Sequence, residues 1–211
     1  DAVTVVSNNL KLETLEHFNI KNPILTIPNF IDLSLYSHKS NNSLRERFAK
    51  KEEFILTHIS NFRKVKRVND VIKIFEKVNK KIPSKLLMIG DGPERIHAEQ
   101  LCRERGLTNE IKFLGKLRAV SSILAISDVF VLPSSTESFG LVALEAMASG
   151  TAVISTNTGG ISEVNINGET GFLSNVGDVN KMANDAIYLL KNTDLLNTFK
   201  QNAIKHAKSY S

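Results

Sequence analysis

The sequence has little of what marks secreted, membrane-spanning or metal-binding proteins. Cys102 is the single cysteine among 211 residues, so an internal disulfide is excluded and a reducing, cytoplasmic compartment is expected. No apolar run reaches the roughly 18 residues of a membrane-spanning helix, and no charged-then-apolar segment suggests a secretory signal. The five histidines include no pair at HxxxH spacing.

Three nucleotide-binding motifs are also missing. No GxxxxGK[ST] occurs, which disfavours a P-loop NTPase, and no Asp-x-Asp pair suggests a metal-bound diphosphate. The segment Gly90-Asp-Gly-Pro93 is not GxGxxG, because position 95 is Arg, and this disfavours a dinucleotide oxidoreductase. It indicates instead a tight strand-to-helix turn with Pro93 in the first helical turn.

The charge balance is basic, with 27 Lys and Arg against 22 Asp and Glu and a net charge of +5. Such a domain could bind nucleic acid or an anionic membrane surface. However, the sequence shows no basic groove interleaved with aromatic residues and no known nucleic-acid motif. We therefore expect no nucleic-acid partner.

Short apolar runs alternate with helical patterns along most of the chain. The runs at residues 54–60, 84–89, 111–114, 129–132 and 152–155 are typical of buried strands, with a helical pattern between each pair. This alternation predicts an α/β fold, a Rossmann-like parallel sheet with helices on both faces. Ligands of such sheets bind outside the carboxyl ends of the strands, so the loops after these runs are the candidate site.

The stretch from Glu137 to Glu145 follows one of these strands and enters a helical pattern that ends near Gly150. The backbone N–H groups of Phe139, Gly140 and Leu141 should lack partners inside the helix. Free N–H groups and the helix dipole together favour a bound anion such as phosphate, and Gly140 allows its close approach.

Two carboxylates beside a phosphate site need a reason. Carboxylates accept hydrogen bonds from vicinal hydroxyl pairs, as on a ribose or a hexose. An anion site between Glu137 and Glu145 therefore predicts a sugar nucleotide: sugar, diphosphate and ribose. The alternative is that Glu145 is a solvated helix residue and Glu137 an ordinary loop charge.

A basic loop follows the first strand of the predicted sheet, Asn61-Phe-Arg-Lys-Val-Lys-Arg67. Transfer from a sugar nucleotide leaves a diphosphate with new negative charge, and cations placed there would stabilise the transition state. The alternative is a solvated basic loop without a ligand.

The Glu-x7-Glu spacing, with Ser138-Phe-Gly-Leu141 inside it, resembles the signature of the retaining glycosyltransferases of family 4, which have the GT-B fold. The resemblance covers essentially the whole chain. Four further segments match the family: Gly90-Asp-Gly-Pro93, Phe113-Leu-Gly-Lys116, Asn157-Thr-Gly-Gly160 and Gly168-Glu-Thr-Gly171.

The resemblance implies roles for individual residues. Family members usually carry an Arg and, five residues later, a Lys in the basic loop; here Asn61 takes the Arg position, Lys66 the Lys position, and Arg63 is the candidate to replace the missing Arg. The implied catalytic residues are Glu137, Lys66 and Arg63. The implied donor-binding residues are Glu145, Ser138, Phe139, Gly140, Leu141, Asn61, Gly115 and Lys116. The family needs no metal ion and no cofactor.

The stretch from His58 to Arg67 is most similar to the bacillithiol-pathway branch of the family, which implies UDP-N-acetylglucosamine as donor and L-malate as acceptor. Residues 1–211 would then form the donor-binding domain. The resemblance implies a preceding Rossmann-like acceptor domain, absent from this chain, and a possible homo-oligomer of the full-length enzyme. Two alternatives stay open: a family 4 transferase for a lipid or cell-wall polysaccharide acceptor, and a non-catalytic nucleotide-binding module.

Overall fold

The computed structural model describes residues 2–36 and 41–211, and it has the predicted α/β fold. Its strands, in chain order, are β1 Val3–Val5, β2 Ile24–Thr26, β3 Phe54–Ser60, β4 Ser84–Gly90, β5 Ile111–Gly115, β6 Val129–Leu132, β7 Ala152–Thr156 and β8 Gly171–Ser174. Its α-helices are α1 Asn8–His17, α2 Asn42–Glu46, α3 Val68–Asn79, α4 Arg95–Glu104, α5 Ser121–Ala125, α6 Leu141–Ala148, α7 Ile161–Val164, α8 Val179–Lys191 and α9 Thr193–Ala207. None of the helices in these ranges is long and apolar enough to cross a membrane.

Six strands form one sheet in the order β5-β4-β3-β6-β7-β8, and every pair is parallel. The chain runs outward from β3 through β4 to β5, returns to β6 beside β3, and then runs outward through β7 to β8. The order therefore reverses between β3 and β6. In open parallel sheets the crevice at such a reversal, at the carboxyl ends of the strands, is the usual ligand site.

Side chains alternate between the two faces of the sheet, and both faces are buried. Leu56 and Val131 belong to the core cluster that includes residues of α3 and α8. Phe130 and Leu132 belong to a second cluster with residues of α6 and α9. Burial on both faces explains why the strands are nearly continuous apolar runs in the sequence.

Asp128, directly before β6, connects the amino-terminal end of the strands to two helices. Its carboxylate accepts hydrogen bonds from Arg45 of α2 at 2.8 Å, Lys200 of α9 at 3.0 Å and the backbone N–H of Ile55 at 2.9 Å. Burial alone would raise the pKa of Asp128, but Lys200 and Arg45 outweigh it and lower that pKa. The cluster is structural, since it lies at the end of the sheet opposite the crevice.

The turn after β4 differs in one detail from its prediction. Helix α4 begins at Arg95, two residues beyond Pro93, so Pro93 precedes the helix rather than opening it. Gly92 has φ +158 and packs so closely on the loop after β3 that an added Cβ would lie 2.0 Å from the Asn61 carbonyl oxygen. The turn is therefore held against that loop before the helix starts.

Residues 2–27 stand apart from this sheet. Strands β1 and β2 pair with each other in a separate two-stranded parallel sheet, and α1 between them has no buried residue. This N-terminal unit and the segment after it carry many exposed apolar side chains: Leu12, Leu15, Phe18, Leu25, Ile27, Phe30 and Leu35. A two-stranded sheet is only marginally stable by itself and usually has further strands beside it. This unit lacks such strands and exposes its apolar side chains.

His58 in the middle of β3 links the two strands on either side of the crevice. Its Nδ1 lies 2.9 Å from the carbonyl oxygen of Val131, which can only accept, so Nδ1 carries the proton. Its Nε2 is then free to accept from the Ser60 hydroxyl at 2.8 Å. Complete burial lowers the pKa of His58 to about 4 and the Lys66 charge adds to this, although the Val131 hydrogen bond opposes it. The folded protein therefore holds His58 neutral.

We expect the neutral His58 to make stability depend on pH. Above pH 6.5, the pKa of His58 in the unfolded chain, the imidazole is neutral in both the folded and the unfolded chain, and its contribution to the free energy of unfolding is fully present. As the pH falls toward 4, the unfolded chain takes up a proton that the folded chain does not, and the free energy of unfolding falls. The contribution lost is about 3 kcal/mol. Urea unfolding at pH 7.5, 6, 5 and 4.5 measures it. Between pH 7.5 and 4.5 the free energy of unfolding should fall less in His58→Gln than in the wild type. In the control His97→Gln, which changes an exposed histidine, it should fall as in the wild type. Equal falls in all three proteins would contradict the assignment.

Candidate functional site

An ion pair joins the two loops that flank the crevice. Lys66, in the loop after β3, lies with its Nζ 2.5 Å from Oε1 of Glu137, in the loop after β6. The Ser134 hydroxyl donates to the same oxygen at 2.8 Å. The Lys66 and Glu137 side chains are 20% and 10% exposed, so the pair is shielded from water. The structure thus brings together two of the three predicted catalytic residues.

The loop after β3 is held in an uncommon backbone conformation. Phe62 and Arg67 have φ of +40 and +50, which few residues other than glycine adopt. The Phe62 side chain is fully buried, and its N–H donates to the Ser60 hydroxyl at 3.2 Å. The Val65 carbonyl accepts from the backbone N–H of Ser135 at 2.8 Å, so this loop is bonded directly to the loop that carries Glu137.

The turn at residues 157–160 supports the backbone of Glu137. The N–H of Gly160 donates to the Glu137 carbonyl at 2.8 Å, and the Thr158 hydroxyl donates to the Ser135 carbonyl at 3.2 Å. Gly159 has φ +58, and an added Cβ would lie 2.0 Å from the Glu137 carbonyl oxygen. The position therefore requires glycine for both conformation and space.

Helix α6 opens toward the crevice with unpaired donors. Gly140, at its N-cap, has φ +93 and makes no side-chain cap. Within the described part of the chain, the backbone N–H groups of Phe139, Gly140, Leu141 and Val142 find no acceptor. Because four N–H groups and the positive end of the helix dipole meet there, the arrangement suits an anion.

Glu145 lies one helical turn beyond Leu141, on the exposed side of α6. Most other residues of the helix are packed inside the protein: Ala143, Leu144, Ala146, Met147 and Ala148 are buried. Residues four apart share one side of a helix, so the Glu145 carboxylate and the helix start face the same way. The Tyr36 hydroxyl donates to Oε1 of Glu145 at 2.7 Å.

A second group of predicted residues lines a cavity of about 410 Å³ beside the crevice. Asn61, Arg63 and Lys116 lie on its wall together with Ser60 and residues 90–93. Gly115, with φ +68, ends β5 next to Lys116. Asn61 and Arg63 thus face the same space, although Lys66 is not part of its lining. Ser138 is exposed at the crevice, and its carbonyl accepts from the Ser7 hydroxyl at 2.7 Å.

No group of three or more His, Cys, Asp or Glu side chains that could hold a metal ion occurs in residues 2–36 and 41–211. Cys102 is buried, and this burial raises the pKa of its thiol, so the group is a packing residue and not a reactive thiolate.

Sequence reasoning missed Ser134 and Tyr36. Ser134 follows a buried strand at the carboxyl edge, so its place in the chain was a usable signal. Tyr36 is 109 residues from Glu145 in the chain, and no spacing connects them. Also missed was Glu163, whose carboxylate accepts from the backbone N–H groups of Asn8 and Asn9 at 3.0 and 2.7 Å and so binds the start of α1.

Comparison with known proteins gives one family and several similar curated relatives. The sequence pattern of the family Glycosyl transferases group 1 matches residues 40–206. N-acetyl-alpha-D-glucosaminyl L-malate synthase of Bacillus anthracis is 46% identical over 196 residues, which cover 92% of this chain and 51% of that protein. The chain therefore spans about half the length of this relative.

Solved structures show the same fold. HepE of Anabaena, in complex with UDP and glucose, matches with a TM-score of 0.91 at 24% identity, over 99% of this chain and 58% of that one. The C-terminal domain of a group 1 glycosyl transferase, LpcC from Francisella tularensis, matches with a TM-score of 0.76 at 25% identity, over 85% of this chain and 97% of that domain. With the family pattern spanning most of the chain, the sheet and crevice described above belong to a member of the group 1 glycosyl transferases.

Proposed function

We propose that this domain binds UDP-N-acetylglucosamine, and that the protein of which it is part transfers the sugar to L-malate with retention of configuration and without a metal ion. The observation that carries the proposal is the arrangement at the start of α6, where unpaired N–H groups lie in the chain between Glu137 and Glu145.

Each part of the donor has a matching group in this arrangement. The diphosphate would accept from the free N–H groups at the start of α6, where the helix dipole also favours it. The ribose hydroxyls would donate to Glu145 and the sugar hydroxyls to Glu137. The uracil would lie at the end of β5, against backbone groups of Gly115 and Lys116.

Cations near the diphosphate would supply the transition-state stabilisation. Lys66 has three N–H donors, and the pair with Glu137 uses one, so Lys66 can bridge Glu137 and a phosphate oxygen. Arg63 forms no salt bridge within the described residues and is free to reach the diphosphate from the cavity wall. As the sugar–phosphate bond breaks, these charges stabilise the leaving diphosphate, and an oxygen of the diphosphate would take the acceptor's proton.

The choice of substrates is supported by likeness to named proteins. The donor side would serve any UDP-sugar, and the HepE structure is a complex with UDP and glucose. N-acetylglucosamine and L-malate are taken from the name of the Bacillus anthracis relative, at 46% identity. We place the reaction in the cytoplasm, as a reduced single cysteine and a nucleotide-sugar donor both favour.

We further propose that the acceptor site lies on a second domain of the full-length protein. The separate β1–β2 sheet and the exposed apolar side chains around it support this, because both would be completed by neighbouring strands. The match to an isolated C-terminal domain, which covers 85% of this chain, also supports it. A homo-oligomer of the full-length enzyme stays a prediction.

Glu145→Gln is expected to weaken UDP binding by about 1–3 kcal/mol, because it keeps the size of the side chain and removes the charged acceptor of the ribose hydroxyls. Isothermal titration calorimetry with UDP measures the change. Glu52→Gln, an exposed glutamate without an ion pair in the described residues, is the matched control. Unchanged affinity in a folded Glu145→Gln protein would remove Glu145 from the donor site.

Alanine at Lys66 or at Arg63 is expected to weaken binding of UDP while leaving uridine nearly unaffected, because only UDP carries the diphosphate. Lys64→Ala serves as control: it removes an exposed lysine of the same loop and should change neither ligand. Titrations of all three variants with both ligands give the comparison. Equal losses for UDP and uridine would indicate a disturbed loop, and would speak against a phosphate contact.

The 211-residue chain should bind UDP yet form no N-acetylglucosaminyl-malate above background. The acceptor would lack a facing surface that positions it and excludes water. In a complete site these two effects can together lower the activation barrier by roughly 7–11 kcal/mol. Product detection by mass spectrometry, with UDP-N-acetylglucosamine and malate supplied, tests this. Joining the preceding domain should restore turnover, whereas turnover by the 211 residues alone would place the acceptor site within them.

A further inference from the structure

Tyr36 reaches the candidate ribose site from a well-anchored segment. The N–H of Ile31 donates to the carbonyl of Tyr210 at 2.9 Å, and the Ile31 side chain is buried. Asp32 caps a short 3₁₀ turn, Leu33–Leu35, and the N–H of Tyr36 closes this turn on the Leu33 carbonyl. The Tyr36 ring packs against the apolar cluster formed by β6, α6 and their neighbours. The hydroxyl is therefore presented to Glu145 by a segment fixed on the core.

We propose that Tyr36 is a positioning residue that orients the Glu145 carboxylate for the ribose hydroxyls, an inference that rests on the proposed function of Glu145. The hydroxyl donates to Oε1, and the Glu145 carboxylate has no other hydrogen bond or ion pair among the described residues. Oε2 is left free. Tyr36 thus fixes the rotation of the carboxylate and directs the free oxygen to the ligand side of α6.

The contact serves this purpose because a glutamate on the exposed side of a helix otherwise samples several rotamers, and ordering it on binding costs side-chain entropy. A donor already in place removes that cost before the ligand arrives. Burial raises the pKa of Tyr36, and the hydrogen bond to Glu145 and its charge raise it further. The phenol consequently stays protonated, and remains a donor, at neutral pH.

The test compares UDP with 2′-deoxy-UDP, which lacks one of the ribose hydroxyls. The wild-type chain should prefer UDP, and Tyr36→Phe should reduce that preference about three- to tenfold, chiefly by weakening UDP. Tyr188→Phe is the matched control, since it removes a hydroxyl from a half-exposed ring of α8 far along the chain. The preference of that variant should equal that of the wild type. The melting temperature of each variant is measured alongside.

Four results would overturn the inference. Equal weakening of both nucleotides in Tyr36→Phe, with a lower melting temperature, would make Tyr36 a tether of its own segment. Tighter UDP binding would make the hydroxyl a competitor of the ribose. If the wild type clearly prefers UDP and Tyr36→Phe keeps the same preference, Glu145 binds the ribose without help from Tyr36. A wild-type chain that does not distinguish the two nucleotides would instead refute the proposed ribose role of Glu145, and this inference with it.

Discussion

The ion pair between Lys66 and Glu137 is the contact on which the site depends. It spans the point where strand order reverses, and each partner stands on a loop whose backbone would not hold its shape alone. The loop after β3 needs left-handed φ at Phe62 and Arg67, and the loop after β6 is supported by the turn at residues 157–160. Because such backbone conformations persist only when their surroundings enforce them, the buried sheet and the ion pair together determine where the cations lie.

The carboxylates of Glu137 and Glu145 are held in the same way, through one oxygen each. Glu137 has Oε1 occupied by Lys66 and Ser134, and Glu145 has Oε1 occupied by Tyr36. Among the described residues, neither second oxygen has a partner. Each carboxylate is thereby held by the protein through one oxygen, and the start of α6 with its free N–H groups lies in the chain between the two glutamates. Groups oriented in advance need no reorganisation when charge develops, which is how a preorganised site stabilises a transition state better than water does.

Local patterns predicted much of this arrangement, because strand order and helix starts leave local signals. The apolar runs predicted five of the six strands of the large sheet, and the Glu137–Glu145 stretch predicted a helix start at the carboxyl edge. Contacts between distant segments leave no such signal. The bond of Tyr36 to Glu145 depends on how residues 31–36 pack on the core, and the pairing of Lys66 with Glu137 depends on which strands become neighbours. The spacing of residues predicted that these groups meet a ligand, but it did not show that they contact each other.

The N-terminal unit is linked to the loop after β6, which carries Glu137 and Ser138. Ser7 caps α1 through its side chain and donates to the Ser138 carbonyl, while Glu163 binds the first N–H groups of α1. Gly160 makes the contact possible, since an added Cβ would lie 2.2 Å from the Ser138 carbonyl oxygen. The unit therefore rests on the segment that leads into α6, and its apolar side chains are exposed. A contact that covered this surface would hold α1 in place and, through Ser7 and Glu163, would also stabilise the loop that leads into α6.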